Sequence, residues 1–317
     1  MKGIVFPKTL VEAVEFYADK RNAFEVVKQL RWPNGVTCPS CGSVDDYYFL
    51  ETRQIFKCKA CAKQFSVKVG TIFEDSAIPL NKWLVAIWQI VNCKNGISSY
   101  ELADAIGVTQ RSAWHMNHRI RLAMQNGSLE KLSGHVEADE SFIGGKARNM
   151  HYSARVRRGF HGTVGGRFGK TIVVGLLERG GKVRVQVVEN RDRKTLSRLV
   201  MKHVDEDSKL FTDAHQGYDD LNFYYQRHVV EHATEYVRGN IHTNGIENFW
   251  SLLKRTIGGT YVSVEPFHLF RYIDEQSFRF NMRKEDPSVR FATALENIVG
   301  KRLTFKSVTG KERLQGA

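Results

Sequence analysis

No stretch of the 317-residue chain approaches the roughly 18 uninterrupted apolar residues of a membrane span. The N-terminus, MKGIVFPKTLVEAVEFYADKR, carries acids early and lacks the long apolar centre of a secretory signal. These two absences predict a cytoplasmic protein without membrane contact. Acid is also in deficit. Asp and Glu number 34 against 47 Lys and Arg, which leaves a formal charge of +13 and a pI near 9.5. An excess of this size favours a polyanion as partner over a merely solubilising surface. The deficit is complete between 144 and 170, a glycine-rich stretch with seven basic residues and no acid. It reads as a basic loop that contacts phosphates, chiefly through Arg155, Arg157 and Arg158.

Cysteine is scarce, and its placement is informative. Four of the five cysteines form CPSC (Cys38, Cys41) and CKAC (Cys58, Cys61), with sixteen residues between the pairs. Each C-x2-C presents two thiolates from one tight knuckle, and two knuckles complete a tetrahedron around Zn²⁺. Two disulfides are the alternative, disfavoured in a reducing compartment. Gly42 follows the first knuckle, where a positive φ is useful. Cys93 lies in the apolar run WLVAIWQIVNC and reads as a small buried hydrophobe.

Periodicity organises the rest. Residues 7–31 read as one amphipathic helix, 36–70 as the ribbon, and 79–93 as a further helix. GISSYELADAIGVTQRSAWHMNHRIRLAM then reads as a helix-turn-helix: Ser98 or Ser99 caps the first helix, Gly107 turns the chain, and Thr109 caps the second. The reader positions fall on Gln110, Arg111 and Ser112. The basic run His115, His118, Arg119 and Arg121 favours DNA contact over an ordinary helical hairpin. Beyond 130 the elements follow the order β-β-β-α-β-α-β-α, which is that of an RNase H-like sheet.

The acids fit this order. HVEADESFIGG (135–145) reads as a strand that places Val136, Ala138, Glu140 and Phe142 on one face and Glu137, Asp139 and Ser141 on the other. Asp139 lies midway along this first strand, Asp213 ends the fourth, and Glu247 lies on the helix after the fifth. Carboxylates that converge repel each other unless a cation lies between them. Oxygen ligands suit Mg²⁺ or Mn²⁺, and two such ions can drive phosphoryl transfer. Glu137 competes with Asp139 for the first position. Asp213 could instead cap a turn, and Asn244 with Glu247 could form a capping box. Lys254, two helical turns beyond Glu247, could hold a DNA phosphate near the metals.

With CPSC…CKAC, FSVKVGTIFEDSAIPLNKW, HVEADESFIGG, FTDAHQGY and HTNGIENFWSLLKRTIGGTY in place, the whole chain resembles the zinc-ribbon DDE transposases of bacterial insertion sequences. The resemblance implies one structural Zn²⁺, two catalytic Mg²⁺ or Mn²⁺ ions, and Asp139, Asp213 and Glu247 as the catalytic triad. It implies that the N-terminal part binds terminal inverted repeats, with target DNA and further copies of the chain as the other partners, in the cytoplasm at the bacterial nucleoid. Between Asp213 and Glu247 lie 33 residues, close to the family's usual gap. In parts of the family asparagine replaces the third acid, and Asn244 and Asn248 flank Glu247. The expected α+β architecture is a helical segment (1–35), a zinc ribbon (36–70), a helix-turn-helix region (71–126), an RNase H-like catalytic domain (130–290) and a tail (291–317). A metal-dependent structure-specific nuclease and a non-catalytic DNA-binding regulator are the alternatives. The recognition elements at the N-terminus argue against the first, and an intact triad argues against the second.

Overall fold

The computed structural model describes residues 5–125, 127, 130–145, 151–157, 169–230 and 242–310. By contact density the chain forms two compact units, one of residues 1–125 with 284–317 and one of residues 126–283.

In the first unit the stretch 7–31 is two helices, α1 (Leu10–Ala18) and α2 (Lys20–Arg31). The break falls at Asp19, whose extended backbone ends α1 and whose carboxylate accepts the Arg21 N–H at 2.8 Å to start α2. The ribbon is an antiparallel sheet of β1 (Tyr47–Leu50), β2 (Ile55–Cys58) and β3 (Gln64–Phe65). Its register aligns Phe49, Phe56 and Phe65, so one face is aromatic and packs against Phe24 and Trp32. Next come α3 (Leu80–Asn92), α4 (Ser99–Ile106) and α5 (Gln110–Ala123). The expected punctuation is present. Ser98 and Glu101 close a capping box, Gly107 turns at φ +61°, and Thr109 caps α5. Residues expected as a tail from 291 instead belong to this core. In the helix Pro287–Glu296, Phe291, Ala294 and Leu295 are buried, and the Phe291 ring meets Phe6 and Tyr17. Apolar residues at helical spacing (291, 294, 295, 298) cover α3, which otherwise exposes an apolar stripe.

The second unit is a five-stranded mixed sheet of β4 (His135–Ile143), β5 (Thr171–Glu178), β6 (Val183–Val188), β7 (Lys209–Asp213) and β8 (Gln226–Val230). The strand order is β6-β5-β4-β7-β8. The first three strands are antiparallel, and β7 and β8 run parallel to β4. This is the RNase H-like arrangement. The expected loop 144–170 carries a short helix, α6 (Tyr152–Arg157). Helices cover both sheet faces. One face carries α7 (Arg193–His203) and the 3₁₀ helix Gln216–Phe223, packed on Val136, Ala138, Val174 and Leu176. The other carries α8 (Asn244–Arg255) and α9 (Leu269–Asn281), packed on Val173, Leu177 and Ile143. Strand alternation therefore sends Glu137 and Asp139 toward α8, beneath a helix rather than out to water.

Candidate functional site

The four ribbon cysteines come together as spacing predicts. Their sulfurs lie within 4.8 Å of one another, with Cys38 Sγ 3.7 Å from Cys61 and Cys41 Sγ 3.6 Å from Cys58. A disulfide needs about 2.05 Å, whereas a tetrahedron with Zn–S bonds of about 2.3 Å has edges of about 3.8 Å. The spacing fits zinc. Gly42 at φ +77° and Ala62 at φ +58° close the two knuckles, the second without glycine. Burial opposes a Cys38 thiolate, yet hydrogen bonds from the Ser40 and Cys41 amides and from the Cys41 and Cys61 thiols together outweigh it and bring the thiol down to about 7.

The acids converge where the β4–β7 pairing stops. The ladder runs to Glu137↔Phe211, and two residues further along each strand are Asp139 and Asp213. Asp139, Glu140 and Asp213 each bring a carboxylate oxygen within 4.8 Å of the others. Asp213 does cap the following turn, with its Oδ1 accepting the His215 N–H at 3.0 Å, and it also joins the cluster. Arg227 of β8 donates to the Asp213 carbonyl at 3.1 Å and to Thr212, which secures the end of β7. Asp139 is oriented by Trp250, whose indole Nε1 donates to its Oδ2 at 2.9 Å. The indole needs the space over Gly175, because a Cβ there would lie 2.7 Å from the ring. Burial, followed by the charges of Glu140 and Asp213, pushes Asp139 up to about 6. Trp250 is not singled out by sequence reasoning, although its place three residues after Glu247 puts it on the same helix face.

Glu140, outside the predicted triad, also joins the cluster. Alternation groups it with Val136 and Ala138, and its side chain is indeed nearly inaccessible, beside Tyr218 and 4.0 Å from Arg191. A carboxylate on an otherwise apolar strand face, next to Asp139, is the signal that marks it. Glu137 has a different fate from Asp139. It is fully buried, paired with Arg179 at 2.8 Å, and accepts the Ile246 N–H at 2.9 Å. Glu247 is exposed on the first turn of α8, and its Oε1 accepts from Thr243 Oγ1 at 3.1 Å. Asn244 is the first helical residue rather than the N-cap, which is Thr243. The Asn244–Glu247 capping box is therefore absent, because the chain turns into the helix one residue earlier.

The profile of the ISXO2-like transposase domain of the IS1595 family matches residues 131–281, and that of the IS1595 transposase zinc-ribbon domain matches residues 18–64. A protein of the transposable element ISH50 of Halobacterium salinarum is 30% identical over 252 residues, covering 76% of this chain and 84% of that protein. The chain belongs to the IS1595 family of transposases. A transposase-like protein of Haemophilus influenzae is 32% identical to this transposase over 101 residues, covering 32% of the chain and 81% of that protein. The crystal structure of a pre-cleavage Mos1 transpososome aligns at 12% identity over 69% of this chain and 79% of that one, with a TM-score of 0.26, a likeness too slight for comparing sites.

The basic run of the transposase's α5 is not a DNA-facing stripe. His118, Arg119 and Arg121 are buried, and Arg119 donates to the Leu303 and Glu74 carbonyls at 2.9 and 2.7 Å. Read as a list of charges, the run resembles a surface. Helical spacing turns it into the core of the first unit. At the start of α5, Arg111 is exposed and stacks over the Phe305 ring at 4.5 Å, Gln110 donates to Ser99 at 2.8 Å, and Ser112 takes part in the Thr109 cap. In the second unit Arg155 and Arg157 fall within α6, and Arg158 lies outside the described residues. Lys254 is exposed and, with Lys170, lines a cavity of about 430 Å³ walled by Phe142, Ile257 and Leu269. Among the described residues no helix is long and apolar enough to cross a membrane.

Proposed function

We propose that this transposase binds the terminal inverted repeats of its element, cuts at the element ends, and joins the freed 3′-OH ends to target DNA by two-metal phosphoryl transfer. The observation that carries the reading is the convergence of Asp139, Glu140 and Asp213 within 4.8 Å. Half-buried carboxylates this close are unfavourable without a cation, and a donor set made only of carboxylate oxygen fits Mg²⁺ or Mn²⁺. Asp139 and Asp213 would hold the ions, with Glu247 completing the set from α8. Bound there, the ions would activate the attacking oxygen and stabilise the leaving one. Trp250 keeps Asp139 aimed at the gap, and Arg227 keeps the turn after Asp213 in place. Lys254 would hold a DNA phosphate beside the reacting one. End recognition falls to the first unit, with Gln110, Arg111 and Ser112 at the start of α5. Its ribbon would be held by one Zn²⁺ on Cys38, Cys41, Cys58 and Cys61. Arg155, Arg157 and Arg158 would add sequence-independent phosphate contacts, in an assembly of more than one copy on DNA.

The test is a cleavage and strand-transfer assay in Mg²⁺ on duplexes that carry the element's ends. Asp139→Asn and Asp213→Asn should each abolish both steps and leave end binding near wild type. Cutting by either variant at a normal rate overturns the proposal.

A further inference from the structure

We infer that Glu137 is a positioning residue. Together with Arg179 and Gly245 it fixes the first turn of α8 against β4, and so sets the position of Glu247 on that turn. The inference rests on the proposed role of Glu247 as the third ligand.

A fully buried glutamate on a strand that packs under a helix needs a reason. A buried ion pair seldom stabilises more than apolar residues of the same volume. Both Glu137 oxygens are committed to the start of α8. Oε2 accepts the Ile246 N–H at 2.9 Å, one of the donors that a helix start leaves unsatisfied. Oε1 accepts from Arg179 Nε at 2.8 Å, and Arg179 Nη2 donates in turn to the carbonyl of His242, just before the helix. The usual local device is used elsewhere. Thr243, at the N-cap, makes no side-chain bond to the helix backbone, and its hydroxyl goes to Glu247 Oε1 at 3.1 Å. The strand thus supplies the cap, and the cap residue supports the third acid.

The approach is close enough to require glycine. A Cβ on Gly245 would lie 2.8 Å from Glu137 Oε2 and 2.5 Å from Leu177 Cδ2. One turn further on, Trp250 bonds Asp139. Glu137 and Asp139 are two strand residues apart, about 6.6 Å. Ile246 and Trp250 are four helical residues apart, about 6 Å. Strand and helix therefore run in step, α8 is pinned at two points, and Glu247 lies between the pins. An acid that merely neutralised Arg179 would need neither the helix amide nor the glycine.

The test is a double-mutant cycle on Mn²⁺ affinity, measured on the full-length protein without DNA from the free-Mn²⁺ spin-resonance signal. Glu247→Gln should weaken Mn²⁺ binding about tenfold, and Glu137→Gln several-fold. The double variant should bind no more weakly than Glu247→Gln alone, because Glu137 acts only through the acid it positions. Gly245→Ala keeps every polar group while pushing the helix away, and it should show the same non-additivity. It decides the matter if Glu137→Gln loses its thermal transition. Losses that multiply in the double variants overturn the inference alone. Unchanged affinity in Glu247→Gln overturns it together with the assignment of the third ligand. Failure of the protein to cut DNA bears on the proposed function and not on this cycle.

Discussion

Cys38, Cys41, Cys58 and Cys61 come from two turns of one short ribbon, whereas Asp139, Glu140 and Asp213 come from two strands of a covered sheet. The ribbon has little core of its own beyond its aromatic face, so its ligands would draw their order from a bound ion. The acids are the reverse case. Two hydrophobic layers fix the sheet first, and the carboxylates are then held together whether or not an ion is present, at a cost to the fold. Metal should therefore build the first site and relieve the second.

The largest expected effect breaks the comparison at the ribbon. Structural zinc in small modules contributes on the order of 10–16 kcal/mol of apparent binding energy. Cys38→Ser with Cys58→Ser should remove one equivalent of zinc by elemental analysis, unfold residues 36–70 and abolish selective end binding, while the second unit keeps its thermal transition. A ribbon that stays ordered without zinc would make its core, not its ion, the source of order.

The acid site should respond to pH in the opposite sense to an ordinary paired carboxylate. Asp139 titrates near 6 in the fold, against 3.8 as its ordinary value, chiefly because it is buried. The folded state then holds the proton more tightly than the unfolded chain. Metal-free stability should fall as pH rises from about 4 to about 6, by on the order of 3 kcal/mol. In a thermal scan with chelator, the second unit should melt lower at pH 7.5 than at pH 5. Mg²⁺ should recover the loss at pH 7.5, and Asp139→Asn should flatten the dependence. A transition that rises with pH through this window in wild type but not in Asp139→Asn would show that Asp139 is stabilised as the anion.

Two arginines of α5 sharpen the contrast between buried and displayed charge. Arg119→Gln leaves buried carbonyls without their donor and should cost roughly 1–3 kcal/mol of stability in the first unit. Arg111→Gln should change stability little and should flatten the slope of log K against log salt by about 0.9 if it meets a phosphate. Equal stability losses in the two variants would contradict their different burial. The smallest effect belongs to Asn244→Ala. Asn244 is exposed and is not the N-cap, so its loss should stay within about 0.5 kcal/mol in denaturant titrations. A true cap would lose about 1 kcal/mol.

How far the sequence carries depends on the distance over which each residue's partners lie. Ser98, Gly107 and Thr109 were legible because a cap or a turn is decided within four residues. The cysteine cluster was legible because C-x2-C fixes a knuckle by itself. The alternation of β4 correctly paired Glu137 with Asp139 on one face, yet could not separate them. Asp139 faces the gap where the β4–β7 pairing stops, and Glu137 faces a helix N-terminus and Arg179. The roles of Glu140 and Trp250 depend on elements distant in sequence, and the burial of Arg119 depends on the helix face it occupies, which charge type does not give.

Length, charge, the cysteine spacing, the order of strands and helices and the places of Asp139 and Asp213 were set by the sequence alone, through short-range geometry and periodicity. Three matters were settled only by the tertiary structure. The residues after 284 complete the first unit, the basic run of α5 is core, and Glu137 caps α8 while Glu140 joins the acids. Each of these turns on which surfaces meet across long stretches of chain. Burial, desolvation and close approach are properties of such meetings, and a linear pattern does not contain them.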